Sequence, residues 1–291
     1  MAHTDTFDAF LPEALRFTAP APLVDIGANL THASFERDLP AVLARARAAN
    51  VTTLILTGTD REHAEQAVAM ARQHGDEALC LHATAGVHPH DASHWDAGLA
   101  TAMADLQRQP EVVAVGECGL DFNRNFSPRA DQESVFDQQL ALAARLQLPV
   151  FLHERDTEGR LFELLEPWQA SLAGGVLHCF TGSATDLERA LAAGLHIGVT
   201  GWICDERRGQ RLQELVREIP DDRLLIETDA PWLLPRTIRP RRRSRRNEPG
   251  LLPWVLVKVA ECRGQPCETV AAITTANARR LFGMAAIGEA V

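Results

Sequence analysis

The chain has no C-x-x-C pair, no G-x-G-x-x-G after its first strand-like segment, and no apolar run as long as the roughly 18 residues a membrane span needs. Each absence excludes a class. Six cysteines are present (Cys80, Cys118, Cys179, Cys204, Cys262 and Cys267), but their spacing fits neither a zinc ribbon nor a disulfide framework. Free thiols in a reducing cytoplasm are expected instead. The missing glycine fingerprint argues against a dinucleotide-binding open sheet. The segment "MAHTDTFDAFLPEALRFTAP" has neither a basic region nor a long apolar core, so no secretory signal is expected. Net charge is −10, which argues against coating nucleic acid by global charge but leaves room for a local basic patch. No linker, low-complexity stretch or second domain is visible.

What is there is a beat. Short β-rich apolar runs recur: "PLVDIG", "TTLILTG", "LHATAGVHP", "VVAVGECG", "PVFLHE", "GVLHCF", "HIGVTGW" and "RLLIETD". Their spacing of roughly 20 to 36 residues suits one βαβ unit per interval. Segments between them carry helical periodicity, among them "LPAVLARARAANV", "EHAEQAVAMARQHG" and "SATDLERALAAG". Ser127 followed by Pro128 predicts a helix start, as does Ser183 or Thr185. Eight alternating units predict an α/β fold, a (β/α)8 TIM barrel over residues 22–291, after an N-terminal extension over 1–21.

Such a barrel gathers its active site at the C-terminal ends of the strands. Those ends offer Asp25, Gly27 and Asn29, then His88 and His90, Glu117, His153 and Glu154, His178, and finally Glu227 and Asp229. Glu117 is the telling one: the buried run "VVAV" ends in an acid, and a desolvated carboxylate needs a cation beside it. Imidazoles and carboxylates converging on one cavity suit a divalent metal. Asp25 is the weakest member, because a strand-end aspartate commonly caps a turn. Of the "VHPH" pair, His88 is favoured as inward-facing, while His90, after Pro89, is either a second site residue or a surface loop residue.

The stretch "PRTIRPRRRSRRNEP", residues 235–249, holds seven arginines and no lysine. It is either a solvated charged loop or an anion clamp. Its place directly after strand 8, in a chain of net negative charge, favours a clamp with bidentate phosphate contacts. Arg207, Arg208 and Arg211 add to that rim. Trp202 and Trp232 follow strands 7 and 8, where they serve base stacking or ordinary packing. Metal and clamp together read as phosphoester hydrolysis.

At this point the sequence resembles the TatD family of metal-dependent deoxyribonucleases, within the amidohydrolase-like barrels. The segments "DIGANLT", "TAGVHPHD", "VVAVGECGLDFNRNFS", "PVFLHERD", "VLHCFTG", "GVTGWICDERRG", "LLIETDAPWLLPR" and "SRRNEP" carry the resemblance, from about residue 22 to 283. It implies a 3′-to-5′ exonuclease preferring single-stranded DNA strand ends, with RNA as a further substrate, and a role in DNA repair or breakdown. It implies a divalent metal, Mg2+ first with Mn2+ or Zn2+ as alternatives, held by Glu117, His153, His178 and Asp229. Asp229 would also be general base, and His88 would lie near the substrate phosphate. Arg207, Arg208, Arg245, Arg246, Asn247, Trp202 and Trp232 would bind the strand. Most of the family opens strand 1 with an H-x-H pair; here Gly27 and Asn29 stand there. One tightly held ion is therefore expected, with Asp25 and Asn29 holding water or a weak second ion. A cytoplasmic monomer is expected. The competing readings are a small-molecule amidohydrolase and a non-enzymatic binding barrel.

Overall fold

A computed structural model describes residues 17–239 and 244–284. The predicted extension lies mostly outside this range, as do Arg241, Arg242 and Arg243 of the basic stretch. Eight parallel strands form one sheet in sequence order: β1 Leu23–Ala28, β2 Val51–Leu56, β3 Cys80–Ala85, β4 Val112–Asp121, β5 Val150–Arg155, β6 Gly175–Leu177, β7 His196–Val199 and β8 Leu224–Ile226. Nine α-helices lie among the described residues: α1 Leu39–Ala48, α2 Arg61–His74, α3 Ala97–Leu106, α4 Arg129–Leu146, α5 Arg160–Leu165, α6 Ala184–Ala192, α7 Gln210–Leu215, α8 Leu252–Arg263 and α9 Cys267–Phe282. The architecture is the expected TIM barrel. None of these helices is long and apolar enough to cross a membrane.

The barrel closes between β8 and β1 through a single parallel bridge, Ala28 to Ala230. Side chains complete that seam. Asp25 is fully buried and accepts hydrogen bonds from the Thr228 backbone N–H at 2.9 Å and the Thr228 hydroxyl at 2.6 Å. Asp25 thus ties two strands together; it is not among the residues lining the catalytic cavity. Both of its oxygens serve the fold, whereas the sequence suggests a water or metal holder.

Two apolar layers hold the barrel. Inside it, Val24, Ile26, Ile55, Val113, Phe151, Val176 and Leu225 pack together, and Leu281 and Phe282 at the end of α9 join the same cluster. A larger cluster fills the space between strands and helices. The two serine caps behave differently. Ser183 caps α6 with a full capping box, its hydroxyl accepting from the Asp186 backbone N–H, while the Asp186 carboxylate accepts from the Ser183 backbone N–H. Ser127 does not cap α4, which begins after Pro128. Its hydroxyl instead donates to the His90 carbonyl at 2.7 Å, a tertiary contact that local pattern cannot show.

Candidate active site

Strand β4 delivers Glu117 by a bulge. In the β4–β5 pairing, Val115 faces Val150 and Cys118 faces Leu152, so one extra residue is inserted on β4. Such a bulge bends its strand and re-aims a side chain. Gly116 sits at φ 149°, and a Cβ there would lie 2.3 Å from the Phe151 carbonyl oxygen; only glycine fits. β1 carries a matching bulge between Asp25 and Ala28. The β1 bulge lies toward the C-terminal end of its strand and the β4 bulge midway along a longer one.

Glu117 is nearly completely buried. Its Oε1 lies 2.8 Å from His153 Nδ1 and 2.8 Å from His178 Nε2. His88 Nε2 is 3.4 Å from the same oxygen. Each of the first two imidazoles has a second carboxylate on its far side. His153 Nε2 is 3.6 Å from Asp121 Oδ2, and His178 Nδ1 is 3.5 Å from Glu227 Oε2. These distances allow ion pairing but no hydrogen bond, so His153 Nε2, His178 Nδ1 and Glu227 Oε2 are buried without hydrogen-bond partners. Burial opposes ionisation of Glu117, yet the His178 charge and the hydrogen bonds from His153 and His178 hold its carboxyl well below the usual range. Burial likewise opposes protonation of His178, but Glu117 and Glu227 raise its basicity well above normal.

His88 differs from the other two imidazoles. Its Nδ1 accepts the backbone N–H of His90 at 3.1 Å. The proton of the neutral ring therefore sits on Nε2, the atom facing Glu117. Burial pushes the His88 pKa down to about 4, keeping that neutral form. Neutral His88 is arranged as a hydrogen-bond donor through Nε2–H. By proximity alone His88, Glu117 and His153 form a group able to hold a metal ion. The hydrogen bond on Nδ1 favours His178 over His88 as the second imidazole ligand.

Asp229 lines the same cavity. It follows β8 with a left-handed backbone, φ 52°, pinned by its N–H donating to the Gly27 carbonyl at 2.8 Å. Asn29 Nδ2 donates to Asp229 Oδ1 at 3.1 Å. Burial pushes the Asp229 carboxyl up to about 8; His178 opposes this while Glu117 and Glu227 add to it. At Gly27, the other position of the missing H-x-H pair, a Cβ would lie 2.4 Å from Glu227 Oε2. The space that a side chain at 27 would need is already filled from β8.

The cavity measures about 610 Å³ and also takes in His90, Asp121, Trp202 and Trp232. His90 is no bystander on a loop: its Nε2 lies 2.7 Å from Asp121 Oδ2. Asp121 escaped the sequence reading. Its signal was period two along β4, since 117, 119 and 121 share one face of an extended strand. The basic stretch divides. Arg207, Arg208, Arg236 and Arg245 line a second cleft of about 790 Å³ that shares Trp202 and Leu233 with the first. Arg208 also lies over the Trp202 ring at 4.5 Å. Arg246 instead bridges to both oxygens of Asp38 at 2.8 and 2.7 Å, and Asn247 is fully buried with its amide donating to the Thr228 carbonyl. These two hold the loop and are not part of either cleft lining, whereas the family resemblance suggests phosphate contacts for them.

Fold and site together define a TIM barrel with a His/Glu/His cluster fit for a divalent metal. Comparison with known proteins narrows this. Residues 24–283 match the TatD related DNase family, and the chain belongs to it. A protein of Erwinia amylovora named 3′-5′ ssDNA/RNA exonuclease TatD is 55% identical over 90% of this chain and 100% of its own. One of the same name from Klebsiella pneumoniae is 54% identical over 90% of this chain and 98% of its own. Among solved structures, the TatD homologue YjjV of Escherichia coli superposes with a TM-score of 0.80 at 30% identity, covering 93% of this chain and 99% of that one.

Proposed function

We propose that the protein is a metal-dependent 3′-to-5′ exonuclease of single-stranded DNA, with RNA as a second substrate class. The observation that carries this is Glu117, buried at the bulge with two imidazoles on one carboxylate oxygen, beside Asp229 in an open cavity. The relatives named as ssDNA/RNA exonucleases, matched over their whole length, support the substrate. A small-molecule amidohydrolase is disfavoured because β4 presents Glu117 and not a lysine, and the H-x-H pair is absent.

Glu117, His153, His178 and Asp229 would hold the metal, Mg2+ by the family's habit. Their mixed nitrogen and oxygen set also suits Mn2+. When bound, the metal supplies Lewis acidity and lowers the pKa of a coordinated water. The donor set fits, because each imidazole ligand faces a supporting carboxylate on its other nitrogen. With Gly27 bare and Asn29 and Asp25 engaged by Asp229 and Thr228, one tightly held ion is the reading. Asp229 accepts the proton of the attacking water, oriented by Asn29. His88 Nε2–H gives a hydrogen bond to the phosphate or to the leaving oxygen, which takes its proton from solvent. Arg207, Arg208 and Arg245 take phosphates upstream, and Trp202 and Trp232 offer faces to unpaired bases. A cytoplasmic monomer serving DNA repair or breakdown is the setting this implies.

The test is degradation of 3′-labelled and 5′-labelled single-stranded oligonucleotides with Mg2+, Mn2+ or EDTA, by wild type and Glu117→Ala. Release of the 3′ label as mononucleotide, lost in EDTA and in the variant, is expected. Release of the 5′ label first, or turnover undiminished in EDTA, would overturn the proposal.

A further inference from the structure

Two large hydrophobic side chains stand exposed among the described residues, Phe126 at 70% and Trp232 at 50%. Both belong to loops at the mouth of the catalytic cavity. Phe126 follows β4 and Trp232 follows β8, and four places apart in an eight-stranded ring is diametrically opposite. The two rings therefore stand on facing rims, with Glu117 and its imidazoles between them.

Phe126 is held out by design of its neighbours. Asn125 adopts a left-handed φ of 49°, and its side-chain amide donates to the Phe122 carbonyl. On the other side Ser127 is fully buried, its hydroxyl on the His90 carbonyl and its own carbonyl accepting from Gln132 at 2.8 Å. The residues flanking Phe126 are fixed while its ring faces water. One edge meets His90, with centroids 4.6 Å apart and planes at 62°, and His90 lines the cavity. An exposed ring anchored to a site residue and lacking a protein partner on its open face suits a flat aromatic ligand.

The charges give the ligand a direction. On the β7 and β8 side, Arg207, Arg208, Arg236 and Arg245 line the second cleft that continues from the cavity past Trp202. On the β4 side the cavity wall carries both signs, Asp91, Asp121 and Glu154 with Arg124 and Arg155, and no such run of arginines. The body of a strand, with one phosphate per nucleotide, belongs on the arginine side. The β4 side suits the end of the strand, whose scissile phosphate is already held in the cavity.

Resting on the exonuclease reading, we propose that Phe126 is the stacking platform for the 3′-terminal base, so that the strand crosses the mouth from the arginine cleft at β8 to Phe126 at β4. A base stacked there must be unpaired, so Phe126 contributes to the choice of single-stranded ends over duplex.

The experiment measures kcat/KM for release of the terminal residue from single-stranded oligonucleotides with a normal 3′ end, a 3′-terminal abasic residue, or an abasic residue third from the 3′ end. Wild type, Phe126→Ala and Phe126→Tyr are compared. The value of a base–aromatic stack predicts that Phe126→Ala lowers kcat/KM on the normal end by about tenfold. The terminal abasic substrate lowers wild type by a similar factor, and Phe126→Ala loses nothing further on it. Phe126→Tyr keeps wild-type behaviour, and the internal abasic residue costs wild type and Phe126→Ala equally. Independent, multiplying losses at the terminal position, no effect of Phe126→Ala, or coupling to the internal position instead would overturn the proposal. Wild type inactive on every oligonucleotide would sink the exonuclease reading itself, whereas active wild type with an indifferent Phe126→Ala sinks only the stacking.

Discussion

Asp121 shows how a carboxylate outside the ligand set shapes the site. It is fully buried, receives His90 at 2.7 Å and the backbone N–H groups of Asn123 and Arg124, and stands 3.6 Å from His153. It therefore fixes which nitrogen of His153 faces Glu117. Carboxylates placed behind a ligating histidine typically govern metal affinity by ten- to a hundredfold. Asp121→Asn preserves the turn contacts but removes the charge. We expect it to weaken Mn2+ binding by about tenfold or more in calorimetric titration, with a wild-type circular dichroism spectrum. Unchanged affinity would remove Asp121 from that role. In the metal-free protein, burial opposes protonation of His153 and His178, but the neighbouring carboxylates outweigh it and raise both pKa values, so protons compete for both rings. Metal must displace those protons, so its binding should release protons and weaken as pH falls. Titration in two buffers of different ionisation enthalpy measures that release; identical heats in both would refute it.

The loop after β7 illustrates the scale of the element. Asp205 is buried beneath it, accepts the backbone N–H groups of Arg207 and Arg208, and pairs with the side chains of Arg208 at 3.0 Å and Arg236 at 3.2 Å. Burial works against its ionisation, but these donors and charges outweigh burial and bring its pKa down to about 2. The folded value lies below the unfolded one of about 3.9, so the stabilisation is present above about pH 4 and fades as pH falls toward 2. Asp205→Asn should therefore unfold at lower urea than wild type at pH 7, and the gap should narrow from about pH 5 toward pH 3. A gap that stays constant with pH would show that the carboxylate charge is not what holds the loop. The same acid organises two of the arginines assigned to the upstream strand.

At the scale of the molecule, the closing seam is held by a buried ion pair. Arg45 on α1 contacts Glu248 through Nε at 2.6 Å and through a terminal nitrogen at 2.9 Å, and Glu248 is fully buried. Arg246 and Asp38 extend this network at the surface of the same loop. Removing one partner of such a pair strands the other charge in low dielectric, at a cost of about 3–5 kcal/mol. Arg45→Met should lower unfolding free energy by about that amount in chemical denaturation, far more than loss of an exposed pair such as Arg61–Glu65. Equal effects would show that the seam is not held by this pair.

The sequence by itself determined the barrel, the order of its strands and the polar residues at their ends. Those features are written in local period: two along a strand, near four along a helix, with glycine, proline and serine at the breaks. Ser183 was readable as a cap because its partner Asp186 lies three residues away. Ser127 was not, because its partner is the carbonyl of His90, 37 residues distant. Only the closed tertiary structure decided that Asp25 and Asn247 serve the seam, that Arg246 pairs with Asp38 across 208 residues, and that Phe126 faces water beside the cavity. The arginines of one run look alike in sequence. Which of them meets an acid and which lines a cleft depends on where barrel closure brings distant strand ends, and no local spacing encodes that.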